Sequence, residues 1–168
     1  NGIHHHYGNE KFVPEISRSY FIYLLENTPL ACFKPHFTSV EEIRSRVEEP
    51  IFNPDVDKHR VCSNPEVDMV ASSSSTFYQG VTQKEAEEFY GQLLDPENQT
   101  PLSYGLNTNL VKEGDTLREV VWKQDGKYGK AITQIVHWLR KAMDVAENDE
   151  QRKSIEFLIS FYTTGKLE

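Results

Sequence analysis

The chain has 168 residues, 38% of them hydrophobic and 26% charged, enough for one domain with a core or for one lobe of a larger protein. A formal net charge of −8 at pH 7 argues against nucleic acid as a partner, since phosphate binding needs a basic surface, but it does not exclude a small cationic group such as a peptide amine. Apolar runs are only a few residues long, far short of the roughly 20 residues of a membrane span, so no membrane partner is expected.

The first stretch, Asn1 to Pro14, places His4, His5 and His6 before the turn-forming Tyr7-Gly8-Asn9, with no methionine ahead of it. It reads as the start of an interior piece of a longer protein, with residues 1–168 forming a single domain. Adjacent histidines on an extended chain alternate in direction, so His4 and His6 could share a ligand and His5 could not. No Cys, Asp or Glu completes a tetrahedral set in obvious spacing. Four readings stay open for the triplet: a metal site, a surface that touches a substrate, an exposed loop, and a tag remnant.

Ser17 is a plausible N-cap for a helix through Leu25-Glu26, closed by Asn27-Thr28-Pro29. Thr38 with Glu41, or Ser39 with Glu42, gives the capping pattern of a second helix, predicted to run to about Glu48 and stop before Pro50. Residues 50–71, with three prolines, read as a long surface connection. The run from Ser72 to Tyr78 is predicted to be an extended strand whose small serines let another chain approach its backbone. Thr82 and Glu85 form another capping box, starting a helix with Ala86, Phe89, Tyr90 and Leu93 on one face. Leu102 to Val111 and Leu117 to Trp122 read as strands joined through Glu113-Gly114-Asp115, with Asp125-Gly126 as the next turn.

Apolar residues from Tyr128 to Ala146 recur at helical spacing, and Asn148 caps a second helix with Ile155, Leu158, Ile159 and Tyr162 inward and Gly165 as its stop. A short link makes these an antiparallel pair, predicted to pack on the sheet. The fold class is therefore α+β: a small, mainly antiparallel sheet with a β-hairpin, packed with several helices including the C-terminal pair. Trp122 and Trp138 are expected in the core, and His137 at its boundary. Cys32 and Cys62 fit neither a zinc spacing nor a disulfide framework; two partly buried thiols suit a reducing, cytoplasmic compartment. The chain carries no His-Glu-x-x-His helix, Gly-x-Ser-x-Gly elbow or phosphate loop, so its residues alone supply no catalytic constellation.

Three blocks in order carry a resemblance. Gly2–Pro14, GIHHHYGNEKFVP, aligns without gaps to a Gly-Asn-Tyr-x-Ser-Phe-Gly-Asp-x-Lys-Phe-Val-Pro pattern. Ser72–Tyr90, SSSSTFYQGVTQKEAEEFY, continues into LSYGLNTNLVKE (Leu102–Glu113), and Tyr128–Glu168 supplies a helix pair. Together they resemble the zinc-dependent dipeptidyl peptidase III family, in particular its Bacteroidetes-like branch. The resemblance implies a parent enzyme that removes dipeptides from peptide N-termini. Its zinc would sit on a His-Glu-x-x-Gly-His helix and a second acidic motif, both downstream of the matched region. This chain would then hold no cofactor of its own and be inactive alone.

What the resemblance assigns to this piece is substrate holding, with an oligopeptide and the zinc-carrying lobe of the parent as partners. The implied substrate-binding residues are Gly2, His4, His6, Tyr7, Ser74, Ser75, Thr76, Tyr78 and Asn107. His4 stands where the family has a tyrosine that polarises the scissile carbonyl or steadies the oxyanion, and a histidine could donate the same hydrogen bond. Asn109 stands where the family usually has arginine, a departure from the pattern. Two other classes compete: a free-standing peptide- or protein-binding module without peptidase activity, and an independent metal-dependent enzyme using the histidine triplet.

Overall fold

Among the described residues, serine, threonine and asparagine caps start four of the five α-helices. The computed structural model of the chain describes residues 3–34 and 36–167. These belong to two units, Asn1–Ser75 and Thr76–Glu168.

In the first unit, α1 (Arg18–Glu26) begins where Ser17 Oγ accepts the Tyr20 N–H at 3.2 Å. Helix α2 (Val40–Phe52) begins where Ser39 Oγ accepts the Glu42 N–H at 3.1 Å. The Glu42 carboxylate reaches back to the N–H and hydroxyl of Thr38 at 2.9 and 2.7 Å, and those two bonds hold its pKa below the usual carboxylate value. The predicted stop before Pro50 is wrong, because α2 runs on to Phe52. Proline costs the one bond that its missing N–H would make, and the ladder resumes with Asn53 N–H to Glu49 O at 2.9 Å. Packing against α1 rewards the extra turn. Phe52 meets Phe21 edge-on at 5.4 Å, and Glu49 takes Arg18 at 2.6 Å. Among the described residues of this unit, Leu25 and Ile43 are the buried aliphatic side chains.

The second unit holds a three-stranded sheet in the order β1 (Tyr78–Gln79), β2 (Thr108–Glu113), β3 (Thr116–Val121). The sheet is mixed. β2 and β3 form the expected antiparallel hairpin, with Glu113 opposite Thr116, while β1 joins β2 in parallel. The turn is Gly114-Asp115, and Gly114 has φ 63°, the positive value that a two-residue hairpin turn demands at its first position.

Helix α3 (Gln83–Gly91) starts with the predicted capping box, Thr82 with Glu85. It buries Ala86 against Leu110 and Val81, with Phe89, Tyr90, Tyr78 and Leu117 around them. Leu93 lies past the helix end and is exposed.

The predicted C-terminal pair is present as α4 (Gly129–Asp144) and α5 (Asp149–Thr164), with the Asn148 cap in place. Ile132 and Val136 are the buried residues of α4. α5 reaches the sheet region through its end: Tyr162 O accepts the Gln124 N–H at 3.0 Å, and Asn107 Nδ2 donates to Gly165 O at 3.0 Å.

Other expectations fail locally. Trp138 is 66% exposed rather than in the core, and His137 is exposed beside it, because the buried stripe of α4 runs through Ile132 and Val136. Cys32 is exposed, while Cys62 is buried as expected. The Ser72–Tyr78 strand reduces to Tyr78–Gln79 and a single bridge at Ser73. Serine hydroxyls compete with strand pairing here. Ser73 Oγ donates to Met69 O at 2.6 Å and accepts from Cys62 N–H at 2.7 Å, which folds the run into a turn. Among the described residues no helix is long and apolar enough to cross a membrane.

Candidate functional site

The residues implied by the resemblance fall into both units. Gly2 lies outside the described residues. In the first unit, residues 3–12 form a tight hairpin: Phe12 N–H donates to Ile3 O and His5 N–H to Glu10 O, each at 2.7 Å, and His4 bridges Lys11. Asn9 turns the chain with φ 67°, a left-handed value that asparagine tolerates better than most residues.

Segment 59–62 laces this hairpin to the serine run. Asn9 Nδ2 donates to Val61 O, and Val61 N–H donates back to Asn9 Oδ1 at 2.7 Å. Arg60 donates to His6 O at 3.1 Å. On its other side His59 bridges Ser73, and its carbonyl accepts the Ser74 N–H at 2.9 Å. His4, His6, Tyr7, Ser74 and Ser75 are thereby carried on one hydrogen-bonded framework.

Their side chains have different settings. His4 is 5% exposed, and its Nε2 meets the Asp57 carbonyl at 2.5 Å. A carbonyl only accepts, so Nε2 carries the proton and is committed to the backbone. Lys11 Nζ makes a similar bridge to the carbonyls of Asn53 and Val56, at 2.6 Å each. His6 and Tyr7 stand out at the hairpin tip, where the His5–His6 and His6–Tyr7 ring centroids are 4.9 and 4.3 Å apart. Ser74 and Ser75 are half-buried, and Ser75 N–H donates to Ser73 O at 3.0 Å.

The triplet does not form a metal site. The chain turns after His5, so the alternation that would set His4 beside His6 is lost: one is buried and the other exposed. Among the described residues no group of three or more His, Cys, Asp or Glu is arranged to hold a metal ion. These residues do not fit a zinc ion.

In the second unit, Thr76 is exposed and Tyr78 half-buried. β1 is an edge of the sheet. Leu110 N–H donates to Phe77 O at 2.8 Å with Tyr78 opposite Leu110. A parallel ladder in this register uses the carbonyl of 77 and the N–H of 79, so the N–H and C=O of Tyr78 point out of the edge. Asn107 is engaged structurally: its amide holds Gly165 O, and its carbonyl accepts the Trp122 N–H at 2.8 Å.

Sequence reasoning missed a polar cluster on the sheet. Glu119 Oε1 accepts the Thr108 hydroxyl at 2.8 Å and the Tyr90 hydroxyl at 3.0 Å. Burial pushes the Tyr90 pKa up to about 12, with Glu119 adding to the rise and Thr108 opposing it, so Tyr90 is a proton donor at neutral pH. The signal was in the strand alternation: Glu119 falls between Leu117 and Val121 on the face that should be apolar. No protein-family model matches the chain, and no curated protein matches it.

Proposed function

We propose that the chain is the substrate-binding, non-catalytic portion of a dipeptidyl peptidase III-like zinc metallopeptidase that removes dipeptides from peptide N-termini. The three ordered sequence blocks motivate the reading. The observation that carries it is the open β1 edge, where the outward N–H and C=O of Tyr78 can pair with an extended peptide as an added strand. Backbone pairing of this kind is tolerant of side chains, which suits an exopeptidase acting on varied oligopeptides. In this reading the zinc ligands and the water-activating glutamate belong to a facing lobe elsewhere in the parent. His4 then acts by fixing the Asp57 backbone, since its Nε2 is committed to that carbonyl.

The test is the reading frame that encodes the chain. A His-Glu-x-x-Gly-His motif about 100 residues beyond Glu168, in an expressed protein that cleaves dipeptidyl arylamides, is the expected result. A frame without that motif, or a zinc-loaded parent without the activity, overturns the proposal and leaves a peptide-binding module with no peptidase.

A further inference from the structure

Thr108 pairs with Val121 and Leu110 with Glu119, so Thr108, Glu119 and Val121 share one face of the β2–β3 hairpin. Residues 102–105 and 165–167 wall that face into a cleft of about 320 Å³, within the range of small-ligand sites. One wall depends on a glycine. Gly105 has φ 79°, and a Cβ there would come within 3.0 Å of the Tyr90 ring, so the loop can lie against Tyr90 only without a side chain.

Glu119 is unevenly satisfied. Both hydroxyl donors, Tyr90 and Thr108, converge on Oε1. Among the described residues, no hydrogen bond or ion pair reaches Oε2, although Lys166 stands on the same rim. The remaining lining includes Leu102, Tyr104 and Leu167. We propose that this cleft binds a primary ammonium group carried on a short apolar chain, with Glu119 Oε2 receiving the charge.

The chemistry of the lining narrows the ligand class. A divalent cation needs several oxygen ligands, and the cleft offers one carboxylate. A guanidinium gains most from both carboxylate oxygens at once, and here Oε1 is already taken. A quaternary ammonium calls for an aromatic cage, whereas Tyr104 is the one aromatic ring of the lining. A primary ammonium needs one free acceptor and an apolar path for its chain, and both are present. The inference rests on the cleft alone and not on the peptidase reading, so either can fail without the other.

The experiment follows backbone amides of the isotopically labelled chain by NMR during titration with n-butylammonium chloride at constant ionic strength. Shifts are expected at Thr108, Glu119 and Val121, with none there from 1-butanol at equal concentration. Shortening the probe to ethylammonium should weaken binding by roughly fourfold per methylene lost. Glu119→Gln keeps an oxygen for the two hydroxyls and removes the charge, and should weaken binding by about tenfold or more. Lys166→Glu, at an exposed position, should tighten it and reads out the same field if Glu119→Gln does not fold. Equal shifts from butanol, unmoved amides at the three positions, or an affinity indifferent to both substitutions overturns the inference. A further arm compares leucinamide with its N-acetylated form: leucinamide binding above n-butylammonium identifies a peptide amino terminus as the natural source, and weaker binding identifies a small free amine. Binding of the acetylated form as tightly as leucinamide overturns the charge recognition altogether.

Discussion

Asn9 performs two tasks that few residues combine: a left-handed backbone at φ 67° and a two-way amide bond to the Val61 backbone. Asn9→Ala removes both bonds and is expected to destabilise the first unit by about 1–2 kcal/mol. Hydrogen exchange at the Val61 amide is the readout, and unchanged protection there would contradict the role. Glu85 is held from two sides. Lys112 Nζ lies 2.5 Å from Oε1, and the Thr82 N–H and hydroxyl bond Oε2 at 2.9 Å each. The Lys112 bond, then the Thr82 bonds, lower its pKa from 4.5 to about 2. A carboxyl depressed in the folded state stabilises above its ordinary pKa and loses that contribution as pH falls toward the folded value. Wild type should therefore melt above Glu85→Gln at pH 7, with the gap closing between about pH 5 and pH 2. A gap constant across that window would remove the charged contact as its cause. Both sites bear on legibility. The Tyr-Gly-Asn turn and the Thr82–Glu85 box were readable because each is a contact within a few positions. The partners Val61 and Lys112 were not, since they lie 52 and 27 positions away.

Elements follow the same division. The Ser17, Ser39, Thr82 and Asn148 caps appear where the sequence set them, because a cap needs only a side-chain oxygen and an N–H two or three residues on. The end of α2 was misread because contacts with α1, remote in sequence, outweigh the local cost of Pro50. The serine strand was misread for the opposite reason: hydroxyl bonds specific to Ser73 diverted a run whose neighbours favour extension. The left-handed stop of α5 gives an element-scale prediction. Gly165 has φ 74°, and a Cβ there would fall 2.2 Å from Val121 Cγ1. Gly165→Ala should cost about 1–3 kcal/mol through the backbone strain and loosen the Asn107–Gly165 bond. Chemical denaturation measures the cost, and an alanine variant as stable as wild type would show that α5 ends another way in solution.

At the scale of the whole molecule, two thin cores carry the stability. Leu25, Ile43 and Cys62 are buried in the first unit, and Val81, Ala86, Leu110, Val111, Ile132 and Val136 in the second. Large apolar side chains stay in water on the helix pair, with Trp138 66% and Phe157 65% exposed. A single core of the size expected for 168 residues would unfold in one cooperative step, whereas two small ones need not share a transition. Calorimetry of the chain should give a calorimetric enthalpy larger than the van't Hoff value. Equal enthalpies would show the two cores melting as one.

The proposed function makes a stricter demand on the chain by itself. The zinc chemistry of a dipeptidyl peptidase needs three protein ligands and a base around one ion. The described residues do not assemble that set: His4 is tied to Asp57 O, and His6 stands exposed at the hairpin tip. What the chain does offer is a sheet edge, the outward backbone of Tyr78, to which the proposal assigns the peptide. Purified alone, it should release no arylamine from dipeptidyl substrates, with or without added zinc, and should bind oligopeptide weakly because a two-residue edge supplies few backbone bonds. Turnover above the buffer rate that is abolished by a chelator would place the metal on these residues and end the division of labour proposed for the parent.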